Sequence, residues 1–145
     1  MGGIVVSENV SIDGVVQDPT GEEGFAQGGW FGRIGDADRR AWAEVEHEEA
    51  RDAAALLLVR GSYTWFAARW PTRTGAWADR LNGLPKYVVS TTLRDPGWTN
   101  TTVLTGGVVD AVSGLRRAVA GTSSSTRAAP WCARCRSTTW STNCG

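Results

Sequence analysis

Cysteine is absent from residues 1–121 of this 145-residue chain, and its three cysteines all follow in the last stretch. A cysteine-free stretch of this length argues against a disulfide-stapled fold and fits a reducing compartment, so we expect a cytoplasmic protein. Long apolar runs are also missing, because none approaches the ~20 residues that cross a bilayer. The N-terminal sequence MGGIVVSENV lacks the basic and apolar regions of a signal peptide. We therefore expect neither secretion nor a membrane partner.

Neither sign of charge is in excess, since 15 Lys and Arg residues balance 15 Asp and Glu residues. This balance provides no basic field for a phosphate backbone, so nucleic acid is not an expected partner. The single histidine, His47, stands in a charged segment and is expected to be solvated. The sequence shows no metal-ligand cluster, no Ser/His/Asp set and no isolated pair of carboxylates. We therefore expect no metal site.

The chain has the length of about one domain, and its apolar pattern alternates between strand-like and helix-like segments. Strands are predicted at residues 2–7, 53–60, 86–91 and 99–105, and helices at residues 36–49, 62–70, 74–83 and 106–121. The first strand, GGIVVS, is expected to be buried on both faces, and Asp36 is expected to be the N-cap of the first helix. This alternation predicts an α/β domain with a mostly parallel sheet flanked by helices.

A long Gly-, Asp- and Pro-bearing segment, residues 12–35, separates the first strand from the first helix. Loops of this length inside a compact domain are usually functional. Asp13 stands at its start, where its carboxylate is either a local turn cap or a functional group. Trp30 and Phe31 stand near its end, as core residues or as the wall of a pocket. The residues alone leave these alternatives open.

Three motifs occur in order along the chain: SIDGVV at residues 11–16, LLLVRGSYTWF at residues 56–66, and LPKYVVSTTL at residues 84–93. Together they resemble the reductase domain of riboflavin biosynthesis and its dihydrofolate reductase-like relatives, from Ile4 to about Ala120. The resemblance implies a dihydrofolate reductase-like fold, NADPH as cofactor, and hydride transfer to a pterin- or pyrimidine-like small molecule. Members of this family often form homodimers.

The resemblance assigns Arg60, Gly61, Ser62, Ser90 and Thr91 to cofactor binding. The physical chemistry of these positions supports a phosphate site, because Ser62 stands at the start of a helix, where backbone N–H groups are unpaired, and Arg60 adds a charge. Ser90 and Thr91 leave the next strand at the same sheet edge, where open α/β sheets bind ligands. Helix capping by Arg60 and Ser62, and an ordinary strand-end turn at residues 90–92, are the alternatives.

The resemblance also makes Asp13 a catalytic candidate in the flap over the nicotinamide, and it makes Trp30 and Phe31 substrate-loop residues. Two positions depart from the family pattern. Val59 stands where the family has Gly, and Thr64 stands where the family often has Glu. Val59 adds bulk where the backbone and the cofactor approach each other, so we expect a weakened cofactor site.

The last segment, residues 122–145, contains no Leu, Ile, Val or Phe. In the family, a strand and a Gly-rich turn around the cofactor pyrophosphate occupy this place, and the strand lies between the first two strands. Reading this segment in a neighbouring frame with GC-rich codons gives His-Val-Val-Val-Tyr-Ala and then Gly-Ser-Ala-Leu-Val-Arg, which fits that strand and turn. We therefore predict that residues 1–121 are the N-terminal part of a reductase domain and that residues 122–145 are an out-of-frame, disordered tail.

Other interpretations of the tail are weaker. Cys132 and Cys135 form half of a zinc signature, but Cys144 and His47 complete no usual spacing. A redox C-x-x-C motif opens a helix after a strand, whereas Pro130 and Trp131 precede this one in a Ser/Thr-rich stretch.

An out-of-frame tail predicts a fold that is incomplete at its C-terminus, with the first strand loose or moved beside the second. The chain would then be marginally stable, impaired or inactive, and doubtful as a dimer. A different hypothesis makes the chain a small non-catalytic protein that binds a partner through an exposed sheet edge.

Overall fold

The computed structural model describes residues 3–119, together with the backbone of Thr122–Thr126. Its strands are β1 (Gly3–Ser7), β2 (Ala53–Val59), β3 (Lys86–Val89), β4 (Thr101–Leu104) and β5 (Thr122–Thr126). Its helices are α1 (Asp36–Arg51), α2 (Arg60–Ala67), α3 (Ala76–Gly83) and α4 (Val108–Ala118), and a 3₁₀ turn spans Trp30–Arg33. Within this part of the chain, no helix has both the length and the apolar character that crossing a membrane requires.

The strands form one parallel sheet in the order β1-β5-β2-β3-β4, counted over the described residues. The predicted α/β class with a mostly parallel sheet flanked by helices is confirmed. Element bounds differ from the prediction by a few residues at most, as at the start of α1. There Gly35, not Asp36, is the N-cap, and Asp36 is the first helical residue.

The sheet is built around β2, whose sequence AAALLLV is apolar throughout and largely buried. Leu56 and Leu58 belong to a core that also contains Phe66 of α2 and Leu81 of α3. Leu57 points to the opposite face, where it packs with Val112 and Leu115 of α4. Burying each such leucine contributes about 1.5–3 kcal/mol, so a strand buried on both faces is a strong organising element.

β1 does not share this burial. The prediction that it is buried on both faces is wrong, since Val5 is 50% exposed and Gly3 is also exposed. The physical reason is its place in the sheet. β1 is an edge strand that pairs only with β5 among the described strands. Ile4 on one face packs against the cluster of Leu57, Val112 and Leu115, whereas Val5 on the other face stays exposed.

β5 departs from the sequence expectation as well. We expected residues 122–145 to lack regular structure, but the backbone of Thr122–Thr126 forms a strand between β1 and β2, pairing in parallel with both. This is the place that the resemblance gives to the family's Gly-rich strand. Neighbouring strands present unpaired N–H and C=O groups there, and any backbone that can extend is able to pair with them. β1 consequently does not move beside β2.

Residues 127–145 lie outside the described residues, and so do the C-x-x-C alternatives. The out-of-frame origin of residues 122–145, with the incompleteness that follows from it, stays a prediction.

Lys86, in the LPKYVV motif, has a structural place in the fold. Its side chain is fully buried, and its Nζ donates to the carbonyl oxygens of Asn82, Leu84 and Thr99 at 2.8–3.1 Å. The same ammonium lies 4.3 Å from the ring centroid of Trp98. Lys86 therefore joins the end of α3 to the β3–β4 connection at the amino end of β3. The ligand-binding edge of an open α/β sheet is the opposite one, at the carboxyl ends of the strands.

Candidate active site

A cavity of about 380 Å³ lies beside the carboxyl half of β2, between α1, α2, α3 and the long loop. Leu56 and Leu58 contribute to its wall from the sheet. Aromatic rings supply much of the rest of the lining, from Phe31, Trp65, Phe66, Trp70 and Trp77. Cavities of this size and composition suit small molecules with a flat apolar body.

Two carboxylates of α1 line the same cavity. Glu46 and Glu49 are three residues apart, which places them on one helix face, towards the end of β1. Ser7 donates its hydroxyl to Oε2 of Glu49 at 2.6 Å. Asn9 donates its amide to Oε1 of Glu46 at 3.2 Å, and the indole N–H of Trp42 donates to Oδ1 of Asn9 at 2.9 Å.

The pKa of the Glu46 carboxyl is raised above its ordinary value. Burial is the largest cause and raises it, and the nearby charge of Glu49 raises it further, whereas hydrogen bonding from Asn9 and Trp42 lowers it without cancelling the burial effect. Glu46 therefore holds its proton to higher pH than an exposed glutamate. A carboxylic acid of this kind at a cavity wall is able to act as a proton donor.

Sequence reasoning missed this pair. Glu46 and Glu49 stand in the run EVEHEE, where alternate and adjacent acids are typical of a solvated helix face. The only signal was their spacing of three residues. That spacing becomes informative only when the partners at the end of β1 are known.

The cavity lining includes an ion pair between the long loop and the segment that follows α2. Arg69 forms a salt bridge with Glu22, and the indole N–H of Trp65 donates to the same carboxylate at 3.0 Å. The Arg69 guanidinium lies 4.3 Å from the Trp65 ring centroid. Arg73 lies similarly over Trp70, at 4.7 Å. These contacts place cationic groups against two of the aromatic walls.

Asp18 organises the loop that brings Glu22 to the cavity. It is 2% exposed, and its carboxylate accepts the backbone N–H of Phe25 at 3.1 Å. Its own carbonyl accepts the N–H groups of Gly21 and Gly29 at 3.1 and 2.9 Å. Burial acts to raise the pKa of Asp18, but backbone N–H groups of residues 21–25 outweigh it, so the pKa is lowered. The sequence carries no signal of this role for Asp18, because an Asp-Pro pair in a loop is a common turn signal.

The catalytic candidate Asp13 lies on an exposed turn and does not line the cavity. Ser11 donates its hydroxyl to the Asp13 carboxylate, and this hydrogen bond is the main reason why the pKa of Asp13 is lowered. The Gly14 N–H closes the turn on the carbonyl of Ser11 at 2.9 Å. This geometry favours the turn role, and the catalytic role of Asp13 stays a prediction.

The two substrate-loop candidates occupy different positions in the 3₁₀ turn. Phe31 lines the cavity. Trp30 does not; it packs edge-on against Phe31 at 6.0 Å between ring centroids and lies 6.3 Å from Trp42. Trp30 thus supports the wall that Phe31 forms.

Three of the cofactor candidates lie at the start of α2. Arg60 and Gly61 are exposed, whereas Ser62 is 7% exposed. The N-cap is Val59, whose side chain accepts no hydrogen bond, so it does not cap the first turn. An open depression of about 470 Å³ adjoins Arg60 and Gly61, and Trp65 and Arg69 line both this depression and the cavity.

The other two cofactor candidates follow β3 at the same sheet edge. Ser90 is buried, and its Oγ accepts the N–H groups of Thr92 and Leu93 at 3.2 and 3.0 Å. Its hydroxyl oxygen therefore stabilises the strand-end turn. Thr91 is exposed beside it. The parallel sheet brings Thr91 and the start of α2 to one edge, since β2 and β3 are paired neighbours.

Comparison with known proteins supports the resemblance. The family model for the RibD C-terminal domain matches residues 3–119. This family consists of reductases that generally depend on a nicotinamide cofactor. A search of curated protein sequences finds no significant match. The match covers most of the chain and all of α1–α4 with β1–β4, so the chain belongs to the RibD C-terminal domain family, with its dihydrofolate reductase-like fold.

Proposed function

We propose that the site is that of an NADPH-dependent reductase which transfers hydride to a pterin- or pyrimidine-like small molecule. The observation that carries this proposal is the aromatic-walled cavity with the half-buried Glu46 at its side. Bound NADPH would supply the hydride. The protein would supply the position, the exclusion of water and a proton.

On the substrate side, flat heterocycles match the cavity because ring faces are available from Phe31, Trp65 and Trp70. Reduction of a C=N or C=O bond adds hydride to carbon and a proton to nitrogen or oxygen. Glu46 retains its proton above the pH at which an exposed glutamate loses it, and it is therefore our candidate for the proton donor.

On the cofactor side, the start of α2 and the turn after β3 would hold the phosphates. The positive end of the helix dipole and the charge of Arg60 favour an anion there. Trp65 and Arg69 border both the depression and the cavity, so a dinucleotide that followed the depression would bring its reactive ring next to the substrate. Gly61, Ser62, Ser90 and Thr91 are assigned to this side by the family resemblance, with Ser90 acting through its turn.

We also propose that this chain binds NADPH weakly and is impaired or inactive. Val59 replaces the family's Gly next to the proposed phosphate site, and residues 127–144 contain no Gly for a pyrophosphate turn. The same segment would weaken family-type dimerisation. A cytoplasmic location fits a nicotinamide-dependent reductase.

The two halves of the proposal have separate tests. Titration with folate or a diaminopyrimidine is expected to quench the fluorescence of the cavity tryptophans, and Phe31→Ala should weaken that binding. Val109→Ala, an exposed position on α4, is the matched control. Failure of the folded protein to bind either ligand class would refute the substrate assignment.

NADPH binding is measured by calorimetry on the same samples. We expect no saturation in the micromolar range, and partial recovery of binding in Val59→Gly. Saturable micromolar binding by the unaltered chain would refute the impairment.

A partner-binding role through a sheet edge is the competing hypothesis, and the exposed outer edge of β1 is the feature that favours it. A defined complex of fixed stoichiometry, without binding of pterin or pyrimidine ligands, would support it over the reductase.

A further inference from the structure

Three side chains form a hydrogen-bonded chain that ends on the proposed proton donor. Trp42 donates to Oδ1 of Asn9 at 2.9 Å, and Nδ2 of Asn9 donates to Oε1 of Glu46 at 3.2 Å. Trp42 and Glu46 come from α1, whereas Asn9 follows β1, so the chain joins the helix to the sheet edge.

The chemistry of the three groups allows one orientation of the amide. An indole nitrogen only donates, so the Asn9 atom facing Trp42 has to be the carbonyl oxygen. The other end of the amide, the NH₂ group, then faces Glu46. A flipped amide would set two donors against each other at Trp42 and leave Oε1 of Glu46 facing an acceptor.

This orientation distinguishes the two oxygens of Glu46. Oε1 accepts from an NH₂ group, which has no lone pair to receive a proton from it. A proton on Oε1 would therefore point at the NH₂ group of Asn9, which is itself a donor. Oε2 does not face this group, so it is able to carry the proton. Glu49 lacks this discrimination, because its partner Ser7 is a hydroxyl that either donates or accepts.

We propose that Asn9 is a positioning residue: its amide, oriented by Trp42, makes Oε1 of Glu46 a permanent acceptor and leaves Oε2 as the oxygen that carries and delivers the proton. The class of ligand that receives it is a heteroatom acceptor, such as a ring nitrogen or a carbonyl oxygen. The delivery step rests on the proposed function, whereas the hydrogen-bond arrangement does not.

Charged groups around Glu46 come from several elements. Glu49 and Arg39 lie on α1, Glu22 lies on the long loop, and Arg69 and Arg73 follow α2, all of them lining the same cavity. Arg69 is paired with Glu22, and Arg39 is paired with Asp36. Arg73 lies over the Trp70 ring. Because Arg39 and Arg69 have carboxylate partners of their own, the hydrogen bond from Asn9 is expected to be a principal control on Glu46.

The test is a carbon-13 NMR titration of the glutamate side-chain carboxyls, with Glu46 assigned through Glu46→Gln. In Asn9→Ala the donor is lost, so the pKa of Glu46 is expected to rise above that of the unaltered chain. In Asn9→Asp the NH₂ group becomes a second carboxylate oxygen, so the rise should be larger. Trp42→Phe removes both the group that orients the amide and the hydrogen bonding of Trp42 that lowers the pKa of Glu46, so it should also raise this pKa.

Ser7→Ala is the matched control, because it removes the equivalent hydrogen bond from Glu49. It should change the titration of Glu46 less than Asn9→Ala does. An unchanged Glu46 titration in Asn9→Ala, with the amide spectrum still dispersed, would overturn the proposal. Asn9→Asp has the same shape as the original residue and decides the question if Asn9→Ala does not fold.

The experiment contains neither NADPH nor substrate, so its outcome is independent of cofactor binding. Loss of the reductase proposal through failed ligand binding would leave the positioning result intact. Conversely, an Asn9 variant that binds folate normally and leaves the Glu46 titration unchanged would refute the positioning role of Asn9 and leave the proposed substrate class standing.

Discussion

At the scale of single residues, the cavity contains a group that burial destabilises. Glu46 sits half-buried beside Glu49, and a carboxylate in this place loses hydration without gaining a cation of its own among the described neighbours. Partly buried ionisable residues at functional sites commonly lower the free energy of unfolding. The trade-off can be measured.

Glu46→Gln is expected to stabilise the protein at neutral pH. The pKa of Glu46 is higher in the folded chain than its unfolded value of about 4.5, so the unfolded chain binds fewer protons above that pH. The free energy of unfolding of the unaltered chain therefore falls as pH rises from about 4.5 through the folded pKa. Glutamine does not titrate and still accepts from Asn9. Calorimetry should show a higher melting temperature for Glu46→Gln at pH 7–8 and little difference near pH 4.

Glu44→Gln is the control, since it removes the same charge from an exposed position of the same helix. A Glu46→Gln protein that melts below the unaltered chain at pH 8 would contradict the assignment.

Gly28 is the second residue-scale case. A Cβ there would lie 2.7 Å from the carbonyl oxygen of Asp18 and 2.9 Å from its Oδ2. Gly28→Ala therefore displaces Asp18 and weakens the hydrogen bonds that it accepts from the loop. The cost is expected to be about 1–3 kcal/mol of unfolding free energy, as for other overpacked sites. Urea denaturation measures this loss, and ligand titration should show weaker binding, because the same loop brings Glu22 and Phe31 to the cavity.

Gly32→Ala tests whether that loss is specific to the Asp18 centre. A Cβ at Gly32 meets nothing within 4 Å, so its effect should stay within about 0.5 kcal/mol. Equal losses of unfolding free energy in Gly28→Ala and Gly32→Ala would refute the role of Asp18 in organising the loop.

At the scale of elements, β5 is the decisive piece, because it lies between β1 and β2. Its registers pair Ser124 with Val5 on one side and with Leu56 on the other. Without β5, β1 has no paired neighbour among the described strands, and the cavity loses the support of the residues that follow β1. A strand of Thr and Ser thus holds the central position through its backbone.

Ser124→Pro is expected to destabilise the sheet, since proline removes an N–H donor from the ladder and is tolerated only at strand ends, edges and bulges. Loss of one partner of a buried hydrogen bond costs about 1–3 kcal/mol. Hydrogen exchange should show loss of protection in β1 together with β5. Ser137→Pro is the control. Residue 137 lies outside the described residues, in the segment that the sequence predicts to lack regular structure, so this variant should change neither the stability nor the hydrogen-exchange protection. Unchanged stability of Ser124→Pro would show that β5 does not hold β1.

At the scale of the whole molecule, the described fold is a RibD C-terminal domain with an unusual strand in its centre. If residues 122–145 are read from a shifted frame, DNA sequencing around codon 121 should show an inserted or deleted base. The family's C-terminal half should then continue downstream in another frame. An uninterrupted frame without that continuation would refute the prediction.

Replacing residues 122–145 by the neighbouring-frame sequence is expected to raise the melting temperature and to strengthen NADPH binding. An apolar strand would fill the central position, and a Gly-rich turn would follow it at the cofactor edge. A Gly/Ser segment of equal length is the control, and it should neither raise the melting temperature nor strengthen NADPH binding. Equal behaviour of the two chains would show that the present tail does not weaken NADPH binding.

The prediction of elements from sequence succeeded where local pattern is enough. The run AAALLLV is predicted and found as a buried strand, and the apolar spacing of α4 places Val112 and Leu115 on one face. The three ordered motifs were sufficient to identify the family that the comparison confirms. The exposure of β1 could not be predicted in this way, because an apolar strand looks alike at the centre and at the edge of a sheet.

The sequence by itself determined the order of the elements, the α/β class and the family, since these depend on periodicity and on motifs a few residues long. Only the tertiary structure decided that Glu46 and Glu49 face the end of β1, that Asp18 is the centre of the long loop, and that Thr122–Thr126 lie between β1 and β2. These features are contacts between residues far apart in the chain. Burial and hydrogen-bond partners, which set the pKa of Glu46 and the place of β5, exist only once those residues meet.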